Sequence, residues 1–197
     1  MGLIKVKIDE CSVECLDTVK AILTRNMGWY HTYFATTCLE LGRCRALIAF
    51  VDNVAVGSLV FYKAGLSPDD LTVIYYVAVD ERYRGRGIGK VLVSSAEYIS
   101  GSNMYVATTH RGNIASIKMF RGLGYIEIPF EHLKESTINF LERLACSYED
   151  DTVLYKGHLE LDYIASLPQN RVVASQLWRE LCFNPWRRLR ESKAVLF

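Results

Sequence analysis

The stretch Tyr75-Tyr76-Val77-Ala78-Val79-Asp80-Glu81-Arg82-Tyr83-Arg84-Gly85-Arg86-Gly87-Ile88-Gly89-Lys90 sets the reading of the whole chain. It begins as an apolar, β-prone run, crosses a charged segment and reaches glycines at 85, 87 and 89. Ile88, Val91, Leu92, Ala96 and Ile99 then fall on one helical face. The order is strand, glycine turn, helix. Glycine lets the backbone turn sharply and bring its N–H groups close to a ligand. The first N–H groups of a helix lack internal partners and carry the positive end of its dipole, so they attract anions. Arg84, Arg86 and Lys90 add three cations, expected to be mobile, to the same turn. The ligand expected here is a polyphosphate.

Spacing excludes two common phosphate loops. A dinucleotide fingerprint needs Gly-x-Gly-x-x-Gly, and Gly89 comes one residue too early. An NTP loop needs Ser or Thr after Gly-Lys, and Val91 follows Lys90. A second motif lies downstream: Asn113-x-x-Ser116-x-x-x-Phe120-x-x-x-Gly124-Tyr125. It reads as a helix N-cap, a helical face of Ile114, Ile117, Phe120 and Leu123, a glycine stop and a strand from Tyr125 to Ile128. Between the motifs, Met104 to Thr109 reads as another strand.

Arg84-x-x-Gly87-x-Gly89 after Val77-Ala78-Val79, followed by the Asn113 motif, resembles the two cofactor motifs of the GNAT superfamily, the acyl-CoA-dependent N-acetyltransferases. The resemblance covers Tyr75 to Tyr125, about a quarter of the chain. It implies an α/β (α+β) fold with a mixed, mostly antiparallel central sheet and helices on both faces. It also implies acetyl-CoA as acyl donor. By resemblance, the backbone of Val77, Ala78 and Val79 meets the acetyl and pantetheine groups, and Arg84, Gly85, Arg86, Gly87, Ile88, Gly89 and Lys90 hold the pyrophosphate. Asn113 and Ser116 fall near the pantetheine and phosphate end, and Phe120 near the sulfur.

Acyl transfer to an amine sets three requirements: a neutral amine, a polarised thioester carbonyl and a stabilised or protonated leaving thiolate. Many superfamily members carry a tyrosine acid where this chain has Phe120, which has no proton to give. Either the thiolate leaves unassisted, as a thiol of pKa about 8.5 can, or Tyr125 or Tyr76 reaches the sulfur, or the protein binds acyl-CoA without efficient turnover. Positions where some members carry a glutamate base are Val73 and Thr108. His110, just past the fifth strand, is the candidate base. Tyr75, which alternation places on the same strand face as Val77 and Val79, is a candidate to orient the acceptor or a water relay. The catalytic candidates are therefore His110, Tyr75 and Tyr125.

The 197 residues fit one ordinary domain, or a domain with an appendage, and can bury a full core. Half the residues are hydrophobic, and 23 basic residues balance 22 acidic ones for a net charge of +1. That balance argues against a nucleic-acid binder with an extended basic face. No run of eighteen apolar residues occurs, and charges interrupt Met1 to Lys20, so a soluble cytoplasmic protein is expected. The six cysteines, at 11, 15, 38, 44, 146 and 182, read as reduced, mostly buried thiols. With the histidines scattered at 31, 110, 132 and 158, no metal site is indicated.

Outward from the central stretch, Leu3 to Ile8 reads as an edge strand, with Asp9 to Val13 turning the chain into a helix from Cys15 to Met27. Trp29, Tyr30, Tyr33 and Phe34 follow as a cover for the sheet or a wall of the acceptor site. Arg45 to Phe50 and Val54 to Tyr62 form a hairpin around Asp52-Asn53, and Leu71 to Val79 completes a meander. Residues 1–130 make the acetyltransferase core and 131–197 an extension. In that extension Glu131 to Cys146 and Arg171 to Cys182 read as helices and Thr152 to Leu161 as a final strand. Trp186 to Arg190 reads as a solvated helix with a packing tryptophan rather than an RNA contact. The extension covers the sheet, closes over the acceptor site or makes a homodimer contact. The function expected is acetyl transfer from acetyl-CoA to a primary amine of a protein, peptide or small molecule. The alternatives are a non-catalytic acyl-CoA-binding module and an acetyltransferase for an RNA-linked amine.

Overall fold

A computed structural model describes residues 5–11 and 13–194. Seven strands form one sheet in the order β1-β2-β3-β4-β5-β7-β6: β1 Lys7–Cys11, β2 Arg45–Val51, β3 Val54–Ala64, β4 Leu71–Val79, β5 Met104–Thr109, β6 Ile126–Pro129 and β7 Thr152–Lys156. Only β4 and β5 pair in parallel. The mixed, mostly antiparallel sheet carries helices on both faces. One face packs against α1 (Leu16–Glu40), α4 (Glu135–Ala145), α5 (Leu161–Ser166) and α6 (Pro168–Trp178), and the other against α2 (Ile88–Ser100) and α3 (Ile114–Arg121). A π-helical turn, Arg179–Phe183, joins α6 to α7 (Asn184–Ala194).

The hairpin forms as its turn chemistry dictates. Asp52 and Asn53 both take positive φ, 50° and 64°, which their short polar side chains tolerate, and Val51 pairs with Val54 across them. The first strand is displaced from its expected place: Lys7–Cys11 pairs with Ala46–Phe50, so Asp9 to Cys11 are strand rather than turn. Leu3 and Ile4 lie outside the described residues. The helix expected to stop at Met27 continues to Glu40 across a break at Gly28, where φ is 82° and ψ 168°. That break brings Tyr30 and Phe34 round to the sheet.

Reduced thiols are not what the fold presents. Cys11–Cys15, Cys38–Cys44 and Cys146–Cys182 are disulfides, with Cα–Cα separations of 6.0, 5.3 and 5.7 Å. The first two pairs close the short turns that lead into and out of α1. The third spans 36 residues and ties the end of α4 to the π-helical turn. Two polar ties fix the 131–197 segment to the sheet: the Tyr62 hydroxyl donates to the Leu144 carbonyl, and fully buried Asn170 bonds both Ser67 backbone groups at 2.8 Å.

Candidate active site

The β4–β5 ladder stops early. Leu71, Thr72 and Val73 pair with Met104, Tyr105 and Val106, and no further pair forms although β4 runs on to Val79 and β5 to Thr109. Beyond Val73, β4 stays with β3 through Val79↔Gly57, whereas β5 goes with β7 through Thr109↔Thr152. The two strands part as a wedge. A cavity of about 900 Å³ fills it, lined by Ile74 to Val77 on one side and Ala107 to His110 on the other.

A β-bulge sharpens the wedge. Phe61 pairs with Ile74 and Val60 with Tyr76, which leaves Tyr75 as the extra residue on β4. Before the bulge Val73, and after it Ala78, face α1 and α4, while Val77 and Val79 face α2. Tyr75 therefore lies on the face opposite Val77 and Val79, contrary to simple alternation, because the inserted residue resets the phase. Its ring meets Tyr62 at 5.7 Å and Tyr76 at 4.3 Å. Burial pushes the phenols of Tyr75 and Tyr76 well above the ordinary range. The Tyr75 hydroxyl is buried without a partner of hydrogen-bonding geometry among the described residues.

The glycine turn follows β4. Gly85 and Gly87 take φ of 73° and 83°, with Gly87 as the N-cap of α2. A side chain at either position would be strained, yet nothing beyond the chain neighbours lies within 4 Å of where its Cβ would stand. Gly89 has ordinary helical φ, and a Cβ there would meet the Met119 sulfur of α3 at 2.6 Å, a contact the flexible methionine would have to shift to relieve. Ile88 is buried in the core beneath the turn. Each of the three cations has a neighbour in the chain. Arg84 donates to the Val79 carbonyl and to Asn26 Oδ1, both at 3.0 Å, Arg86 lies 5.5 Å from the Tyr83 ring centre, and the Lys90 ammonium rests against Gly122 at the end of α3. The turn residues Arg84 to Lys90 do not line the cavity; Asn113, Ser116 and Phe120 do.

Asn113 caps α3, accepting from Ser116 N–H at 3.3 Å and donating to Thr109 Oγ1 at 3.1 Å. Phe120 is buried against Tyr125, ring centres 4.9 Å apart. Tyr125 itself does not reach the cavity. It is enclosed beside Glu97, with the Lys156 ammonium 5.6 Å from its ring, and burial pushes its pKa up. His110 lines the cavity: its Nδ1 accepts from Gly112 N–H at 3.0 Å, and its Nε2 lies 3.6 Å from Asp151. The structure thus brings Tyr75 and His110 to one cavity and leaves Tyr125 outside it.

Tyr30 and Phe34, read as sheet cover or acceptor wall, line the cavity from α1. Residues that sequence reasoning did not place there complete the wall: His31 from α1, and Ser147 to Asp150, Trp178, Phe183 and Trp186 from the last third of the chain. Burial raises the Asp150 pKa above the usual carboxylate value, opposed by the neighbouring Thr108 hydroxyl and His31 and aided by the charges of Asp151 and Glu149. Trp186, expected on a solvated helix, is a cavity residue, and Arg190 stacks over its ring at 5.0 Å. The acidic run Glu149-Asp150-Asp151 was visible in the sequence, but only the insertion of β7 between β5 and β6 carries it to the wedge.

The sequence model of the Acetyltransferase (GNAT) family matches residues 16–125, more than half of the chain. The chain belongs to the GNAT acetyltransferase family. It is an acyl-CoA-dependent acyltransferase whose donor is acetyl-CoA. No curated protein matches in sequence. Among solved GNAT-like structures, an IAA acetyltransferase from Bacillus cereus superposes with a TM-score of 0.58 at 17% identity, covering 77% of this chain and 99% of that one. Arabidopsis thaliana Naa50, in complex with a bisubstrate analogue, gives 0.55 at 18%, covering 79% and 100%. The Escherichia coli GNAT protein YhbS, in complex with CoA, gives 0.53 at 19%, covering 64% and 71%. At these identities the likeness is one of fold. The matched family segment ends at Tyr125, and the wall from Ser147 to Trp186 lies beyond it. Among the described residues no helix is long and apolar enough to cross a membrane.

Proposed function

We propose that this GNAT enzyme transfers an acetyl group from acetyl-CoA directly to a primary amine, both substrates being bound together. The observation that carries the reading is the end of β4–β5 pairing at Val73 and Val106, with a large cavity in the gap. Parting the strands leaves the β4 backbone at Val77 to Val79 without a partner on its β5 side, where it can bind pantetheine and polarise the thioester carbonyl. The unobstructed glycine turn supplies Gly85 to Lys90 to the pyrophosphate, with Arg86 and Lys90 as exposed cations and Arg84 bracing the turn. Asn113, Ser116 and Phe120 line the passage between turn and wedge.

We assign Asp150, in the same cavity as His110, to take the proton of the incoming ammonium. It is a half-buried carboxylate, its pKa raised by burial, on the acceptor side of the cavity. The ammonium gives one proton to Asp150, and the free nitrogen pair attacks the acetyl carbon. The C–N bond forms as the C–S bond breaks; the sulfur keeps the bonding pair and takes the second proton from nitrogen. The products are the amide and the CoA thiol. With Phe120 at the sulfur, no described side chain is assigned as acid, and the thiol's own acidity serves.

Calorimetric titration with acetyl-CoA and an assay of CoA release over an amine panel test this. Micromolar binding with amine-dependent release is expected; no binding below the millimolar range overturns the reading. Acetyl-CoA binding without release for any amine would favour a non-catalytic acyl-CoA module, a reading that Phe120 supports. The cytoplasmic location expected from the sequence suits three disulfides in a hyperthermophile; elsewhere they call for an oxidising compartment.

A further inference from the structure

The acceptor half of the cavity has a charge and a texture that select among amines. Among the described residues no lysine or arginine lines it, while Glu149 and Asp150 do. The remaining surface is largely aromatic. Trp178 stacks on Phe183 at 5.1 Å and Phe183 on Trp186 at 6.2 Å, both at 29°, and Tyr30 packs edge-on against Phe34 at 5.1 Å across from them. Two hydroxyls in the lining, Tyr75 and Ser147, are buried without partners among the described residues. An unpaired buried hydroxyl is costly unless a ligand supplies the bond. The Ser147–Asp150 wall and the stacked rings lie beyond Tyr125, where the family-model match ends.

We infer that the acceptor is a primary ammonium on a flat apolar body with no carboxylate beside the amine, its charge facing Glu149 and Asp150 and its body lying on the Trp178–Phe183–Trp186 stack. The inference rests on the acetyltransferase reading and narrows it. An ammonium gains from both carboxylates and from the ring faces. The carboxylate of an α-amino acid would be held next to Glu149 and Asp150, where like charges repel and no cation compensates. A polyhydroxylated amine would need many hydrogen-bonding groups, and the aromatic wall offers few. Two ties hold the walls of the cavity together: Cys146–Cys182 joins two of them, and the Tyr33 hydroxyl donates to the Pro185 carbonyl at 3.2 Å, linking α1 to the start of α7. Walls so tied suit a small amine better than a polypeptide that must part them.

The test uses the full chain with its disulfides intact and four probes: 2-phenylethylamine, phenylalanine, a tetrapeptide beginning with phenylalanine, and an aminoglycoside. Acetyl-CoA binding is measured separately by calorimetry, so a failure of the acetyltransferase reading is seen on its own. Each amine is then titrated with and without CoA, and CoA release is followed wherever acetyl-CoA binds. The expected result is binding of 2-phenylethylamine at least tenfold tighter than phenylalanine and tighter than the peptide and the aminoglycoside. Its kcat/KM should follow the same order. Asp150→Asn and Glu149→Gln should each weaken phenylethylamine at least fivefold and leave the affinity for acetyl-CoA unchanged. Equal or better binding of phenylalanine, the peptide or the aminoglycoside overturns the inference. So does an affinity for phenylethylamine that ignores both acid substitutions.

Discussion

Tyr75 and Tyr76 are consecutive in the chain and lie on the same face of β4, their ring centres 4.3 Å apart. The bulge that makes this happen sits where β4 leaves β5, so one extra residue both opens the wedge and furnishes its floor. The Tyr75 hydroxyl, buried beside the Tyr76 phenol, has no partner of good hydrogen-bonding geometry among the described residues and so adds little to folding. Tyr75→Phe should therefore melt within about 0.5 kcal/mol of the parent or above it, while kcat/KM for the acceptor falls several-fold. Thermal unfolding and steady-state kinetics on one preparation check this, and a matched loss of both would assign the hydroxyl to the core instead.

The glycine turn gives a sharper test. Gly87 holds a left-handed conformation that costs an L-residue roughly 1–2 kcal/mol. Gly87→Val should cost about that much stability and weaken acetyl-CoA at least tenfold, because the backbone N–H groups of the turn move. Affinity for the amine should not change. Calorimetry with each ligand separates the two effects.

The raised pKa of Asp150 fixes the sign of two pH effects. First, the acid limb of kcat/KM should lie above the ordinary carboxylate range and should vanish in Asp150→Asn. Second, the folded state holds the Asp150 proton more tightly than the unfolded state, so folding gains from this group below its unfolded pKa and loses as pH rises through the folded value. Asp150→Asn should thus be at least as stable as the parent at neutral pH while its activity collapses. Melting curves across pH 4 to 8, run as an approximate scan, show whether the two profiles part in this way.

Cys146–Cys182 closes a loop of 36 residues. The chain-entropy treatment assigns such a loop roughly 3–4 kcal/mol. Serine at both positions should lower stability by up to that amount and raise the acceptor KM more than the acetyl-CoA KM, since both residues belong to the acceptor wall. Denaturant melts and paired KM values measure it.

What the sequence made legible was local. The Asp52-Asn53 hairpin, the left-handed glycines of the α2 turn and the Asn113 cap each follow from residues within a few positions of one another, and each forms as read. What escaped depends on distant partners. The bulge at Tyr75 is defined by β3, the shift of the first strand by its pairing with Ala46–Phe50, and the three disulfides by turns that bring cysteines together. Asp150 is the plainest case. Nothing within ten residues of it marks a functional carboxylate, and only the placement of β7 beside β5 delivers it to the wedge.

That placement constrains how the enzyme can be made and remade. β7 is the last strand synthesised, yet it separates β5 from β6 and bonds to both. Until the ribosome has released residue 156, two strand edges stand open on the nascent chain, a hazard for aggregation that a chaperone or rapid completion must cover. For the same reason, a chimaera that exchanges only the segment after residue 130 replaces an inner stave of the sheet along with the pocket wall. New specificity is better sought by changing side chains in place.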